Sequence, residues 1–446
     1  MYTIQKSLLV MTCLALWSAG LSSAQDWSQW RGNNRDGVAS NFGVPREWPK
    51  ELAKKWSVDV GNGVASPSLM GDKLYVMALQ DGNEVMRCLN AESGKEIWKD
   101  QYAARPATGP ASGFPGTRSS PAISDGCVVT LGVDGMISCW DTDSGKLHWR
   151  NDDNLGNVPR FSTSSSPLIA EGLCVVQFGS DSAGGIAAYD LKTGKEKWKW
   201  TQDGAAYGSP VLMAVGEQQV VLSPTKTKLV AVSLANGKSL WSMDYPGRYN
   251  ATTPVVDGNI VYVADPNRGI TAMEFSAEGD KIASKEIWRN EDVETTLIYN
   301  TPVKVNGMLY GLSNANQLFC IQTDSGKMTW NQAMSSGAQA APQQPPSQGD
   351  RAAKQQEGTG EGQRRGRGGR GGGGGRGGYG SIVFAGSVLI GLSPASELLV
   401  YQPDGGEFKE LARYKVSDTP TYAYPIPVGN NIYVKDKDSL TMWSLK

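Results

Sequence analysis

An eleven-residue pattern recurs along this chain and constrains its fold more than any other feature. Each copy begins with a small residue, reaches a glycine six positions later and a tryptophan four positions after that. Five copies are CLNAESGKEIW (88–98), CWDTDSGKLHW (139–149), AYDLKTGKEKW (188–198), AVSLANGKSLW (231–241) and CIQTDSGKMTW (320–330). Looser copies run from Ala272 to Trp288 and from Val400 to Tyr414. Regular recurrence of this kind indicates a repeat architecture, in which each copy marks one structural unit.

A second marker, a hydroxyl residue before proline, precedes the copies and gives the number of units. It occurs as Ser66-Pro67, Ser120-Pro121, Ser166-Pro167, Ser209-Pro210, Thr253-Pro254 and Thr301-Pro302, with Ser381-Ile382 and Tyr424-Pro425 as variants. The markers divide the chain into eight units of about 42 residues, a period typical of propeller blades. Alternating apolar residues and glycine turns predict four short strands in each unit. The sequence therefore predicts an all-β fold, an eight-bladed β-propeller of four-stranded antiparallel blades.

The two ends of the chain are expected to complete one blade together. The last unit, from Tyr424 to Lys446, ends before a tryptophan strand, and the missing strand appears near the N-terminus around Trp56. We therefore expect a propeller over residues 51–446 that is closed by N- and C-terminal strands in one blade. Deletion of about ten C-terminal residues is expected to open the ring.

The repeats resemble those of the pyrroloquinoline-quinone (PQQ) quinoprotein propellers, whose blades carry an Ala-x-Asp-x-x-Thr-Gly-x-x-x-Trp docking motif. The copy most similar to that motif has Ala188, Asp190, Thr193, Gly194 and Trp198. The resemblance implies the fold for nearly the whole chain outside 334–380. It extends both to alcohol dehydrogenases that use the quinone and to the non-enzymatic propeller of the outer-membrane β-barrel assembly machinery, so it leaves the function open. The tryptophans expected to dock neighbouring blades are Trp56, Trp98, Trp149, Trp198, Trp241, Trp288 and Trp330.

Charge and residue usage narrow the classes of function. A formal net charge of −1 gives no general attraction to polyanions. The only histidine, His148, falls in an outer strand, so multi-histidine metal sites are excluded and no metal site is predicted. No disulfides are predicted, because the five cysteines that follow the predicted signal peptide occupy equivalent small or buried positions of different units; they are Cys88, Cys127, Cys139, Cys174 and Cys320.

The N-terminal residues predict export. Residues 1–24 have the apolar run and the small residues before Ala24 that are typical of a signal peptide. We expect a protein of the periplasm or cell envelope with no transmembrane segment after cleavage. Residues 25–50 form an N-terminal extension packed on the propeller, in which Trp27 and Trp30 are expected to cover an apolar patch.

Strand parity places one set of loops on the face that carries the quinone in the enzymes that this chain resembles. We expect these loops, which lead into the marker strands, to form a funnel-shaped mouth with the turns between second and third strands. The candidate binding residues there are Arg118, Tyr207, Asn250, Asp265, Tyr299, Asn300 and Tyr422. Such residues suit a planar anionic ligand or a peptide, although a solvated rim has the same composition.

A catalytic interpretation requires catalytic and cofactor-binding residues in addition to a funnel-shaped mouth. The alcohol dehydrogenases that the repeats resemble carry two adjacent bridged cysteines beneath the cofactor, a calcium ion and an aspartate base. This chain has no adjacent cysteines, and Asp265 is its best carboxylate on the face concerned. We therefore predict no catalytic residues and no cofactor, and interpret the protein as a monomeric binding or scaffold module for a protein or peptide partner. The alternative is a PQQ-dependent dehydrogenase that also uses calcium.

A low-complexity segment separates the sixth and seventh units. Residues 334–380 are rich in Gln, Pro, Arg and Gly, a composition that predicts a disordered insertion between blades 6 and 7. Its six arginines, from Arg351 to Arg376, would emerge on the same face as the mouth. Polyanion or nucleic-acid binding through this tract is a second alternative, and a solvated spacer is the simpler interpretation.

Overall fold

Eight β-sheets arranged as a propeller make up the computed structural model, which describes residues 26–247, 249–265, 269–334 and 379–446. The predicted all-β, eight-bladed fold is confirmed. The predicted signal peptide at 1–24 and residues 335–378 of the predicted insertion lie outside the described residues. Within the described ranges, no helix has both the length and the apolar character needed to cross a membrane.

The strands follow the order of the repeats. Two strands precede the first blade: β1 (Val38–Ala39) and β2 (Ala53–Asp59). Blade 1 contains β3 (Ser68–Met70), β4 (Lys73–Gln80), β5 (Asn83–Asn90) and β6 (Glu96–Ala103). Blade 2 contains β7 (Ala122–Ser124), β8 (Cys127–Leu131), β9 (Ile137–Asp141) and β10 (Leu147–Asn151). Blade 3 contains β11 (Leu168–Ala170), β12 (Leu173–Gly179), β13 (Gly184–Asp190) and β14 (Glu196–Trp200).

The next three blades repeat the same antiparallel order. Blade 4 contains β15 (Val211–Val215), β16 (Gln218–Pro224), β17 (Lys228–Ser233) and β18 (Ser239–Asp244). Blade 5 contains β19 (Val255–Asp257), β20 (Ile260–Asp265), β21 (Gly269–Glu278) and β22 (Lys281–Asn290). Blade 6 contains β23 (Val303–Val305), β24 (Met308–Leu312), β25 (Gln317–Gln322) and β26 (Met328–Ala333).

The last two blades involve both ends of the chain. Blade 7 contains β27 (Ser381–Ala385), β28 (Val388–Leu392), β29 (Glu397–Tyr401) and β30 (Glu410–Lys415), with β1 added in parallel to β27. Blade 8 contains β31 (Ile426–Val428), β32 (Asn431–Lys435) and β33 (Ser439–Ser444), and β2 pairs with β33 as its fourth strand. This pairing is the predicted closure. Two short 3-10 helices, Gly109–Ala111 and Val293–Thr295, lie in loops between blades.

The hydroxyl residues of the marker link the innermost strands. The backbone N–H of Ser66 donates to Oγ of Ser120 at 3.1 Å, and Ser120 donates in the same way to Ser166 at 3.0 Å. The same bond joins Ser166 to Ser209, Ser209 to Thr253, Thr253 to Thr301 and Tyr424 to Ser66. The marker therefore supplies buried donors and acceptors that hold blade to blade around the axis.

The tryptophan motif performs the equivalent task at the outer strands. In blade 3, the Asp190 carboxylate accepts hydrogen bonds from the backbone and hydroxyl of Thr193, which fixes the turn before the outer strand. Gly194 then adopts φ +69°, and a Cβ there would lie 2.5 Å from the ring of Trp149 in blade 2. The Trp149 indole N–H donates to the Leu191 carbonyl at 2.9 Å. Trp56, Trp98, Trp198 and Trp288 pack against the glycine turn of the neighbouring blade in the same way, whereas Trp330 packs on Phe408.

Blade 5 departs from the motif. Its third and fourth strands are ten residues each and have no glycine turn of the repeated type. Trp241 of blade 4 packs instead against Phe275, with ring centroids 5.0 Å apart. The apolar clusters of the described residues lie between neighbouring blades, so the core consists of inter-blade layers arranged around the axis.

A buried lysine connects the N- and C-terminal segments that meet in blade 8. Lys435 is 1% exposed, and its Nζ donates to the carbonyl oxygens of Gly61, Gly63, Asp436 and Lys437. Burial lowers its pKa to about 8. Its Nζ thereby connects the segment that follows β2 to the C-terminal blade.

Candidate functional site on the funnel face

The two faces of the ring differ in what their loops contribute. We call the face with the loops that lead into the inner strands the funnel face, and the face with the glycine turns the turn face. Seven of the eight loops of the funnel face contribute an aromatic side chain, and these rings contact one another in order around the mouth. We call them the aromatic collar: Phe114, Phe161, Tyr207, Tyr249, Tyr299, Tyr379 and Tyr422.

The collar is tightest on the side of blades 6, 7 and 8. Tyr299 and Tyr379 stack with centroids 4.1 Å apart and planes 6° apart. Tyr422 meets Tyr379 edge-on at 5.5 Å and Phe114 at 4.7 Å. Around the other side, Tyr249 lies 5.9 Å from Tyr299. These side chains are half-buried and so present both ring faces and hydroxyl groups at the mouth.

Arg118 lies among the collar tyrosines. One terminal nitrogen, Nη2, donates to the carbonyls of Ala111 and Phe114 at 3.1 and 2.6 Å. The other, Nη1, is buried without a hydrogen-bond partner. Burial lowers the pKa of Arg118, while the phenols of Tyr207 and Tyr379 act in the opposite direction. A buried guanidinium nitrogen without a partner favours a ligand oxygen at this position.

Two of the predicted amides support the loops rather than line the mouth. Asn250 is 3% exposed and donates to the carbonyls of Thr225, Lys226 and Tyr245. Asn300 is 4% exposed and donates to the Leu312 carbonyl at 2.5 Å. Asp265, at the end of β20, is 2% exposed. The structure therefore places these three predicted residues below the collar, whereas Arg118 and the tyrosines lie at it.

A small cleft opens beside the collar between blades 3, 4 and 5. Its volume is about 120 Å³, and Arg160, Phe161, Asp181, Tyr207, Lys226 and Tyr249 line it. The Lys226 ammonium pairs with Asp181 at 3.2 Å, and the Arg160 guanidinium lies 5.7 Å from the Phe161 ring centroid. Space of this size accommodates one side chain of a partner rather than a cofactor, since cofactor pockets are about 300–1,000 Å³.

The N-terminal extension forms the floor of the mouth. Residues 26–42, which we call the axial segment, contact the inner strands or their ends in seven blades. Both of its ends lie at the turn face, where Asp26 accepts from Gly71 and Phe42 pairs with Gly429. The segment thus enters and leaves through the turn face and blocks the channel. Trp27 is fully buried there and Trp30 packs on Tyr424 at 5.6 Å, so the tryptophans lie inside the ring.

Two arginines of the axial segment reach the funnel-side ends of the inner strands. Arg31 donates to the carbonyls of Thr301 and Pro302, both at 2.8 Å. Arg35 donates to the carbonyls of Pro210, at 2.8 Å, and Pro167. The two side chains are 0% and 4% exposed.

A buried acid holds two funnel-face loops together. Glu84 is fully buried and accepts from the hydroxyls of Tyr102 and Thr117 at 2.8 and 2.6 Å, and from the Val133 N–H at 2.9 Å. Burial raises its pKa despite these bonds. Because Thr117 precedes Arg118, this acid positions the arginine loop.

The other predicted residues carry no site chemistry in the described part of the chain. Those ranges contain no group of three or more His, Cys, Asp or Glu side chains that could hold a metal ion. His148 lies on the outer strand of blade 2, with Nε2 4.0 Å from Asp141. The five cysteines of the same ranges are buried and unpaired.

Sequence reasoning missed four collar residues and did not place Arg31 and Arg35 inside the channel. Phe114, Phe161 and Tyr249 lie four to six residues before the marker, where loop lengths differ. Tyr379 lies within the predicted insertion 334–380, although it packs in the collar. Aromatic residues recurring at any position before the marker would have been the available signal.

Known proteins match this chain over much of its length. A family model described as outer membrane protein assembly factor BamB (PQQ_2) matches residues 21–205, 182–282 and 280–352. BamB of Yersinia pestis is 20% identical over 331 residues, which cover 68% of this chain and 76% of that protein. Tetrathionate hydrolase of Acidithiobacillus ferrooxidans is 26% identical over 250 residues, or 52% of this chain and 46% of that protein. 1-Butanol dehydrogenase (cytochrome c) of Thauera butanivorans is 24% identical over 197 residues, or 42% and 28%. The matched part is less than half the length of the last two proteins.

Solved structures share the fold at low identity. BamB of Moraxella catarrhalis aligns with a TM-score of 0.57 at 15% identity, covering 88% of this chain and 97% of that one. A europium-containing methanol dehydrogenase aligns with a TM-score of 0.65 at 11% identity, covering 94% and 98%. The family model takes in well over half of the sequence, and the chain therefore belongs to the PQQ_2 family of propellers, described as outer membrane protein assembly factor BamB.

Proposed function

We propose that this chain is a non-catalytic binding module of the cell envelope and that its funnel face binds a polypeptide partner. The observation that carries the proposal is the aromatic collar, in which seven loops bring aromatic rings together around Arg118. Tyrosine and arginine are enriched among the residues that dominate protein–protein binding energy. The tryptophan and marker motifs of the repeats do not include the collar residues.

The surroundings of the collar favour a polypeptide over a small cofactor. Half-buried tyrosines offer flat apolar area with a hydroxyl at the edge, which suits side chains and backbone groups together. The adjacent cleft of about 120 Å³ matches a single side chain. The predicted signal peptide at 1–24 and the printed name of the BamB relatives, an outer membrane protein assembly factor, support a location in the envelope.

The quinone-dependent alternative finds less support in these residues. The stacked pair Tyr299 and Tyr379 occupies part of the mouth, and the described residues offer no group of three or more acidic, histidine or cysteine side chains for a metal. Asp265 is buried below the collar. These observations favour the binding module over the quinone-dependent alternative, and we derive no reaction through the quinone.

Site-directed photo-cross-linking in intact cells tests the proposal. A photoreactive phenylalanine at Tyr422 is expected to form an adduct with a discrete polypeptide, while the same residue at Lys146, exposed on the turn face, is not. The polypeptide, once identified and purified, should bind the wild-type protein and bind Tyr422→Ala at least tenfold more weakly. Equal adducts from both faces would contradict the proposal. So would substrate-dependent dye reduction after addition of the quinone and calcium.

A further inference from the structure

The axial arginines have no carboxylate hydrogen-bond partner among the described residues. Every acceptor of Arg31 is a carbonyl or the Tyr424 hydroxyl. Every acceptor of Arg35 is a carbonyl or the side-chain amide of Gln29. Burial lowers the pKa of Arg35 to about 9, which leaves it charged at neutral pH. Neither guanidinium therefore forms a direct ion pair with an acid among the described residues.

The backbone that presents these arginines is unusual. Arg31 and Arg35 adopt φ +65° and +59°, in the left-handed region that non-glycine residues rarely enter. Gly37, at φ +77°, passes so close that a Cβ would lie 3.1 Å from Nη2 of Arg31. Strained residues held by surrounding structure mark positions where the conformation serves a purpose. Here the two strained residues are the two that carry charge.

The charges lie directly below the collar. Arg35 donates to Pro210, and Tyr207 of the collar is three residues away, at most about 11 Å along the backbone. Arg118, with its unpartnered Nη1, adds a third positive charge at the mouth itself. Two buried acids lie near these charges: Glu84, which accepts from Tyr102, Thr117 and Val133 beside the Arg118 loop, and Asp265, which lies below the collar.

We propose that the axial segment is part of the binding site: Arg31 and Arg35 make the floor of the funnel cationic, so that the collar selects an acidic segment of its polypeptide partner. This inference rests on the proposed function and specifies the chemistry of the partner. The net charge of the whole chain does not indicate this selectivity, because the charges of Arg31 and Arg35 are buried at one end of the channel.

The expected selectivity is substantial. At an effective dielectric constant of about 20, one charge pair about 10 Å apart corresponds to roughly tenfold in affinity. Buried charges are screened by salt less than exposed ones, so part of the selectivity should persist at physiological ionic strength.

Two matched peptides test the charge selection by titration calorimetry. The probes are acetyl-Glu-Phe-Glu-Tyr-Glu-amide and its neutral counterpart with Gln in place of Glu. The wild-type protein is expected to bind the Glu peptide at least tenfold more tightly than the Gln peptide. Arg35→Gln should weaken the Glu peptide by about tenfold and leave the Gln peptide unchanged, because only the charge interaction is lost. Arg35→Lys, which retains the charge, should keep the preference, as should Arg105→Gln, an exposed arginine of the same face.

The outcomes separate this inference from the proposed function. Equal affinity for both peptides would overturn the charge selection alone, since the collar would still bind a polypeptide. Binding of neither peptide would overturn both. If Arg35→Gln fails to fold, Arg31→Gln provides the second variant. The preference of the wild-type protein for the Glu peptide over the Gln peptide, measured at about 20 and about 300 mM salt, tests the inference without a variant: it should decrease at the higher salt but persist in part.

Discussion

The two faces of this propeller are built by opposite strategies. On the turn face, the same few residues recur in blade after blade, and Gly194 with Trp149 performs in one blade what Gly145 with Trp98 performs in the previous one. On the funnel face, the seven loops that converge on the aromatic collar range from ten residues (201–210) to eighteen (104–121) and longer. The turn face holds the ring together, and the funnel face is free to specialise. Substitutions should therefore separate stability from binding according to the face they affect.

Removal of the strand pairing that closes blade 8 should unfold the whole ring, including both faces. Deletion of residues 437–446 removes β33, which lies between β32 and β2 in blade 8. We expect no cooperative unfolding transition, because the remaining inner strands lose the pairing that closes the ring. Circular dichroism and gel filtration provide the measurement, with deletion of Lys446 alone as the control. A folded monomer after the longer deletion would contradict the closure.

Replacement of a docking tryptophan should affect stability alone. Trp198 is 7% exposed and donates to Leu234 at 2.7 Å, so Trp198→Ala is expected to lower the free energy of unfolding by about 3–5 kcal/mol. Trp241 packs on Phe275 in the blade pair without a glycine turn and provides the matched comparison. Trp241→Ala should lower the free energy of unfolding by less than Trp198→Ala does. Urea unfolding gives both values. Equal losses would mean that the turn adds nothing to docking.

Lys435 should give the closure of blade 8 a dependence on pH. Its pKa is lowered from 10.5 to about 8, so the unfolded chain binds more protons between these values. The lysine's contribution to stability is therefore complete above pH 10.5 and is lost as the pH falls towards 8, a difference of at most about 3 kcal/mol. Relative to Lys435→Met, the wild-type free energy of unfolding should rise across this interval. A constant difference between the two proteins would exclude the effect.

Two glycines of the turn face should differ in cost. Gly194 has φ +69° and a tryptophan ring 2.5 Å from a would-be Cβ, whereas Gly71 has φ +59° and nothing within 4 Å. Gly71→Ala is expected to cost about 1 kcal/mol for its backbone conformation, and Gly194→Ala at least about 2 kcal/mol because the ring must also move. Thermal unfolding of the two variants makes the comparison, and equal costs would contradict close docking.

A collar substitution should weaken binding more than it affects stability. Tyr299 is half-buried and contacts two other collar rings, Tyr249 and Tyr379. Tyr299→Ala should therefore lower the free energy of unfolding by about 1–3 kcal/mol, the value of two aromatic pairs. The same variant should bind the Glu peptide at least tenfold more weakly. A large loss of stability with unchanged binding would reverse the roles that we assign to the two faces.

The sequence predicted the blades, which follow from repeated motifs, and missed the contacts that single residues make once in the chain. Markers such as Ser66 and Ser120 predicted the number of blades because their spacing recurs. The hydrogen bond between Ser66 and Ser120 could not be predicted from that spacing. The collar was predicted at Tyr207, Tyr299 and Tyr422 because these residues lie near the marker. No local pattern indicates that Arg31 enters the channel, because its partners lie up to 393 residues away. Long-range contacts of single residues leave no periodic signal.

The axial segment also bears on the order in which the chain folds. Arg31 has partners at Thr301 and Tyr424, which are synthesised long after it. The N-terminal residues therefore cannot reach their final positions until the last blade exists, whereas each blade can form its own sheet early. During that interval Trp27 and Trp30 are exposed to solvent. Assembly of this ring should accordingly end, rather than begin, at its N-terminus, with insertion of the axial segment and closure of blade 8 as one late event.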